Sequence, residues 1–281
     1  MMRRNIVMCQ RKRVFFVSDR TGITVEALGS SLLTQFGDLD FLRVTLPFID
    51  SVPKAIQVVA QVNEAHRESG QRPLVFSSIV DDLVRAEINK CDALVLDVFE
   101  RFIVPLENEL GTKSLHAVGK SHSAGNVKDY NHRIEAINYT LSHDDGVTHR
   151  GLEEADIVLV GVSRSGKTPT CLYMAMQFGI KAANYPLIPE DLEAKRIPPS
   201  LLPLKGKVWG LSITPERLSQ IRSERRPDST YASLDNCRYE VAAAEKLMKQ
   251  AGIPFIDSTT KSIEEIATHM LHEAHLVRRV Y

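Results

Sequence analysis

Apolar runs of strand length alternate with segments whose apolar residues recur at helical spacing, and this alternation persists along most of the chain. Residues 14–18 (VFFVS) predict a strand, 24–36 a helix and 41–48 a second strand. Over 51–68, Val52, Ala55, Ile56, Val59 and Val62 fall at i, i+3, i+4, i+7 and i+10, the spacing of one helical face. Strands over 73–79 and 93–98 follow, with a helix over 82–89 between them. Such a β-α-β-α rhythm implies a mostly parallel sheet covered by helices.

The rhythm stops over 111–129, where Gly, Ser, Lys and His dominate, and a loop or linker is expected. A helix over 130–141 then leads into the polar turn His143-Asp144-Asp145-Gly146. From residue 156 the alternation restarts: a strand to 160, a glycine-bearing loop, a helix to 178, and a strand over 182–187. After a proline-rich connection over 186–203 come a strand over 208–213 and a helix that Thr214 caps, with Pro215 at its first position. A short strand over 254–256 precedes the capping box Ser262-Ile263-Glu264-Glu265. The helix it opens places Ile263, Ile266, Ala267, Met270 and Leu271 on one face. The expected organisation is a basic arm (1–13), an N-terminal α/β domain with a mostly parallel sheet (14–150) and a C-terminal P-loop NTPase-like kinase domain (151–281).

Composition narrows the function. Hydrophobic residues form 43% and charged residues 25% of 281, ordinary for a globular protein with a core. Basic and acidic residues balance at 35 each, so no global field favours nucleic acid. Cys9, Cys91, Cys171 and Cys237 are far apart, which argues against a zinc site or a disulfide framework. The apolar run after the basic start is too short for a signal sequence, and no stretch is long enough to span a membrane. A cytoplasmic location is expected.

Gly161-Val162-Ser163-Arg164-Ser165-Gly166-Lys167-Thr168 fits G-x-x-x-x-G-K-[ST]. Its glycines let the backbone approach phosphate oxygens, Lys167 supplies a cation, and the Thr168 hydroxyl suits Mg²⁺. The strand before it and the helix after it are the context this motif requires; a chance glycine turn is the plainer alternative. Arg164 either adds a second cation or faces solvent. Pro169 is tolerable in a first helical turn. Arg217, Arg222, Arg225 and Arg226 either clamp a phosphoryl group or form a solvated helix end. Asp144 or Asp145 can ligate Mg²⁺ or act as general base, unless both only fold a polar turn. No aspartate-ended strand follows the P-loop in the Walker B manner; Asp97 has that look but lies in the other half. Ser18-Asp19-Arg20-Thr21-Gly22 stands where α/β sites tend to form, or is only a turn and cap.

The chain resembles the pyruvate, phosphate dikinase regulatory protein family. The likeness is carried by SDRTGIT (18–24), TLPF (45–48), RPLVFSSIV (72–80), RIEAINYTLSHDDG (133–146) and GVSRSGKTPT (161–170). QFGIKAANYPLI (177–188), PERLSQIRSERR (215–226), SIEEIATHML (262–271) and RRVY (278–281) extend it to nearly the whole chain. It implies a bifunctional enzyme acting on phosphoenolpyruvate synthase. ADP-dependent phosphorylation of a target threonine inactivates the synthase, and a phosphate-dependent, pyrophosphate-forming reaction restores it. ADP, inorganic phosphate and Mg²⁺ are the implied cofactors. The nucleotide loop carries over onto residues 161–168, and the shared HDDG adds weight to Asp144 and Asp145 beside Lys167 as catalytic candidates. Arg20 departs from the small residue usual in the family. Residues 112–127 match poorly, so His116 and His122 inherit no role. The rival readings are a small-molecule P-loop kinase and a nucleotide-sensing switch without transfer. The oligomeric state stays open, a homodimer being the working guess.

Overall fold

The computed structural model describes residues 11–37, 39–115, 127–146 and 150–279, with the side chains of 127–129 left out. Most of the basic arm, His116, His122 and the last two residues lie outside them. The chain divides into two compact units, residues 1–123 and 124–281.

The first unit runs β1 (Lys12–Val17), α1 (Ile23–Leu33), β2 (Phe41–Leu46), α2 (Val52–Ser69), β3 (Leu74–Ser77), α3 (Asp82–Ile88), β4 (Leu94–Asp97) and α4 (Glu100–Leu110). All its strands pair in parallel, in the order β2-β1-β3-β4. Val14 to Val17 are buried along the whole of their run, as a central strand covered on both faces requires. Helix α2 buries Ala55, Val58, Val62 and Ala65, while Ile56 is 51% exposed. The buried stripe is thus turned from the one the apolar residues suggested, because small alanines fit closest to the sheet. Asp81 caps α3, its carboxylate accepting from the amides of Leu83 and Val84. Helix α4 has no counterpart in the predicted pattern. It buries none of its own residues, and Pro105 stands inside it, where a proline ordinarily argues against a helix.

The second unit contains α5 (Val127–Ser142), β5 (Ile157–Gly161), α6 (Lys167–Phe178), β6 (Ala182–Pro186), α7 (Pro189–Ala194), β7 (Val208–Ser212), α8 (Pro215–Arg225), α9 (Leu234–Ala251), β8 (Phe255–Asp257) and α10 (Ile263–Glu273). Its sheet is again parallel, in the order β6-β5-β7-β8, the same pattern as the first unit. Helix α5 precedes the boundary expected near residue 150, yet it belongs to the second unit, where it packs on α6 and β6. Every residue of β5 is buried, with Ile157 and Leu159 facing one core and Val158 and Val160 the other. The predicted capping box forms: Ser262 Oγ accepts from the Glu265 amide and Glu265 returns the bond to the Ser262 amide. Among the described residues, no helix is long and apolar enough to cross a membrane.

Candidate functional site

The buried strand β5 delivers its last residue, Gly161, to the carboxyl edge of the second sheet, and α6 begins at Lys167. The intervening loop is bent by positive φ angles at Gly161 (150°), Arg164 (76°) and Gly166 (95°). A Cβ on Gly161 would lie 2.2 Å from the Leu211 carbonyl oxygen, so the strand–loop junction has room for backbone only. A Cβ on Gly166 would meet nothing within 4 Å, which leaves open space on the loop's concave side. Gly161→Ala should therefore destabilise the protein by at least about 1–3 kcal/mol from backbone strain alone. A thermal melt and an ADP titration check this; an unshifted melt with unchanged binding would disprove it.

The loop is held from below. Arg222, fully buried on α8, donates from Nη2 to the Ser163 carbonyl at 3.1 Å and to Glu240 at 2.7 Å. Its guanidinium lies 4.0 Å over the Tyr231 ring, and the Tyr231 hydroxyl donates to Ser163 Oγ at 3.0 Å. Ser258 Oγ lies 2.9 Å from the carbonyls of both Ser165 and Ser212, joining the loop to the β7 and β8 ends. Arg222 thus neither clamps a phosphoryl group nor sits on a solvated helix end; it is a structural cation beneath the loop. Arg217, Arg225 and Arg226 are exposed, and Arg217 donates to Gln220. Arg164 is exposed and stands at the edge of the cavity that Lys167 and Thr168 line.

Lys167 is 4% exposed and donates to the Val162 carbonyl at 2.8 Å, folded back along the loop. Burial pulls its ammonium down to about 8, against partial compensation from Asp145. The HDDG turn arrives at the same place. Thr168 Oγ1 donates to Asp144 Oδ1 at 2.9 Å, and Asp145 lines a cavity of about 230 Å³ with Ser163, Arg164, Gly166, Lys167, Thr168 and Pro169. Asp145 holds φ at 51°, a conformation tolerated by aspartate and concentrated at functional sites. The structure therefore brings together Gly161 through Thr168 with Asp144 and Asp145.

The turn is anchored on both sides. His143 is buried, stacked 4.0 Å from the Tyr139 ring, with Nδ1 2.8 Å from the Tyr139 carbonyl and Nε2 2.9 Å from that of Arg150. Asn184 on β6, which the motif reading passed over, meets the carboxylates of both aspartates. Only its place in the shared KAANYPLI run marked it; an asparagine in a strand carries no local signal.

Asp144, from a turn ahead of β5, is the carboxylate partner of Thr168; an aspartate does end a later strand, Asp257 on β8, but it accepts from Thr259. Asp97 has another job: its carboxylate accepts from the amides of Phe99 and Glu100 at the start of α4. Asp19 is buried and accepts from the Val80 amide, and burial raises its carboxyl above the usual range. The Ser18–Gly22 segment thus folds as a turn that braces β1 to β3.

Thr168 Oγ1 and the carboxylates of Asp144 and Asp145 are hard oxygen donors, a set that suits Mg²⁺ shared with phosphates better than an all-protein cage. Among the described residues, no group of three or more His, Cys, Asp or Glu is placed to hold a metal. Cys91, Cys171 and Cys237 are buried and free, and burial pushes the Cys91 thiol up to about 11.

Residues 14–271, covering the β/α alternation of both units, match the kinase/pyrophosphorylase family. The chain is 57% identical over 271 residues to a protein of Azoarcus sp. named phosphoenolpyruvate synthase regulatory protein, covering 96% of this chain and 98% of that one. Proteins bearing the same name in Laribacter hongkongensis and Neisseria meningitidis serogroup B are 55% and 52% identical, covering 97% of this chain and all of theirs. With its glycine-bearing loop and paired aspartates lying inside a match of that length, this chain belongs to the kinase/pyrophosphorylase family.

Proposed function

We propose that this chain regulates phosphoenolpyruvate synthase by adding a phosphoryl group to one of its threonines and removing it again. The carrying observation is the meeting of Asp145, Lys167 and Thr168 around one cavity, with Asp144 bonded to Thr168. A regulator's name in relatives above half identity supports the choice of target. ADP is the proposed donor and inorganic phosphate the co-substrate of removal.

In the forward direction the loop and the N-terminus of α6 hold the β-phosphate of ADP. Asp145, exposed at the cavity wall, takes the proton from the target hydroxyl as its oxygen attacks the β-phosphorus. The bond to the bridging oxygen breaks and AMP leaves. In reverse, a phosphate oxygen attacks the phosphothreonine phosphorus, the P–O bond to threonine breaks, and Asp145 returns a proton to the departing oxygen. Lys167 neutralises charge on the transferred group in both directions. Thr168 and Asp144 would hold Mg²⁺, which supplies further charge neutralisation on the phosphates.

Asp145→Asn should lower both activities on the order of 10²-fold and leave ADP affinity nearly unchanged. The assay is transfer to purified, phosphorylated phosphoenolpyruvate synthase with ADP and Mg²⁺, and pyrophosphate release from the modified target with phosphate. Undiminished transfer by the variant would remove Asp145 from this role. Turnover of a metabolite without the protein target would favour a small-molecule kinase, and ADP binding without any transfer a sensing switch.

A further inference from the structure

Asn184 sits inside β6 with only 3% of its surface exposed, in the strand that flanks the P-loop strand. Its backbone is paired to both ends of the aspartate turn: its amide donates to the His143 carbonyl at 3.0 Å, and its carbonyl accepts from the Gly146 amide at 3.2 Å. Its side chain reaches further. Nδ2 lies 2.6 Å from Asp144 Oδ1, 2.9 Å from Thr168 Oγ1 and 3.1 Å from Asp145 Oδ1. Thr168 spends its own proton on Asp144, so its oxygen is free to accept. One amide nitrogen with two hydrogens is therefore shared among three oxygens drawn from two segments of the chain.

The orientation of that amide follows from the surroundings. Reversing it would place the carbonyl oxygen against two carboxylate oxygens, and the one hydroxyl beside them, that of Thr168, already donates to Asp144. In the orientation observed, Oδ1 is buried without a hydrogen-bond partner among the described residues. The side chain thus forgoes one bond in order to keep its donors on the site oxygens. A residue kept only to fill the strand would be apolar at this depth.

We infer that Asn184 is a positioning residue: its amide keeps Asp144, Asp145 and Thr168 converged while no cation is bound. This rests on the reading that Thr168 and Asp144 hold the metal of a metal–nucleotide complex while Asp145 stands beside them as the base. The partial positive charge of the amide holds together two carboxylates that would otherwise repel, so that a divalent cation meets a formed set of donors. Residues that orient metal-site oxygens in this manner typically change metal affinity by about 10–100-fold when removed.

The test compares Asn184→Leu and Asn184→Ser with the wild-type protein, since both keep the backbone pairing to the turn. ADP affinity without Mg²⁺ should stay close to that of the wild type, because Asn184 touches the loop only at the Thr168 hydroxyl and leaves Lys167 in place. The Mg²⁺ concentration that gives half of the metal-dependent gain in ADP binding should rise about 10–100-fold. In transfer assays at fixed Mg²⁺ the rate should fall and be restored by raising Mg²⁺ about 10–100-fold, a rescue that mere loosening of the fold would not produce. Should Asn184→Leu fail to fold, Asn184→Ser gives the same readings. An unchanged Mg²⁺ response in the folded variants overturns the inference, as does wild-type ADP binding that ignores Mg²⁺. If no transfer to phosphoenolpyruvate synthase occurs at all, the proposed target falls while the Mg²⁺ titration still decides the role of Asn184.

Discussion

Lys167→Ala should abolish phosphoryl transfer in both directions, with a loss on the order of 10³–10⁵-fold, the range for removing a cation from a developing phosphoryl charge. The fold should survive, because the ammonium is a burden to it: burial lowers the group from 10.5 to about 8. The sign follows directly. A buried lysine whose folded value lies below its unfolded one costs stability below pH 8, and that cost is relieved as the pH rises towards 10.5. The variant should therefore melt no lower than the wild type at neutral pH. Ligand binding reverses the balance, since phosphate oxygens favour the charged form. ADP binding near pH 8–9 should take up a proton in the wild type and none in Lys167→Ala. Calorimetry in buffers of different ionisation enthalpy measures that uptake, and wild-type affinity should decline as the pH rises above about 8. A variant that kept either activity would show that the cradle's cation is supplied by another residue.

Much of this site can be read from residue order, for reasons that differ from motif to motif. The P-loop is legible because one continuous segment supplies the bend, the cation and the hydroxyl, so their spacing is a local property. The HDDG turn is different. Its aspartates stand 22 to 24 residues from Lys167 and Thr168, a separation that carries no spacing rule, and spacing alone favours a polar turn. Only the likeness to a family gave it weight, and the pairing of Asn184 with both ends of the turn explains why it lands there. Asn184 itself could not be picked out, since its role depends on a strand register that aligns it with Leu159. Helix α9 escaped notice for a related reason. Its buried residues are Cys237, Val241, Ala244, Leu247 and Met248, a weakly apolar stripe inside a polar sequence. Arg222 was misread because its partners, Glu240 and Ser163, come from distant segments, and a basic helix end usually faces water.

Arg222→Ala should be the most destabilising single change in the second unit outside its apolar core. Arg222 is completely buried and Glu240 is 13% exposed at its side chain, so removing the guanidinium leaves a carboxylate without its cation in a site that water barely reaches. Breaking a buried pair in that manner costs about 3–5 kcal/mol, far more than an exposed pair would. The loss extends beyond the charge, because the same side chain bonds the carbonyls of Ser163 and Tyr231 and covers the Tyr231 ring. For a unit of this size the melting temperature should fall on the order of 10 °C. Replacing both partners with apolar residues of similar volume, Arg222→Met with Glu240→Leu, should recover most of that stability, because no charge is then left unpaired. It should not recover ADP affinity, since Ser163 would still lack the donor that fixes the loop. Stability and binding would thus separate in the double variant. If both returned together, the guanidinium would matter only to the fold; if neither returned, packing around Tyr231 rather than charge would be what holds the loop.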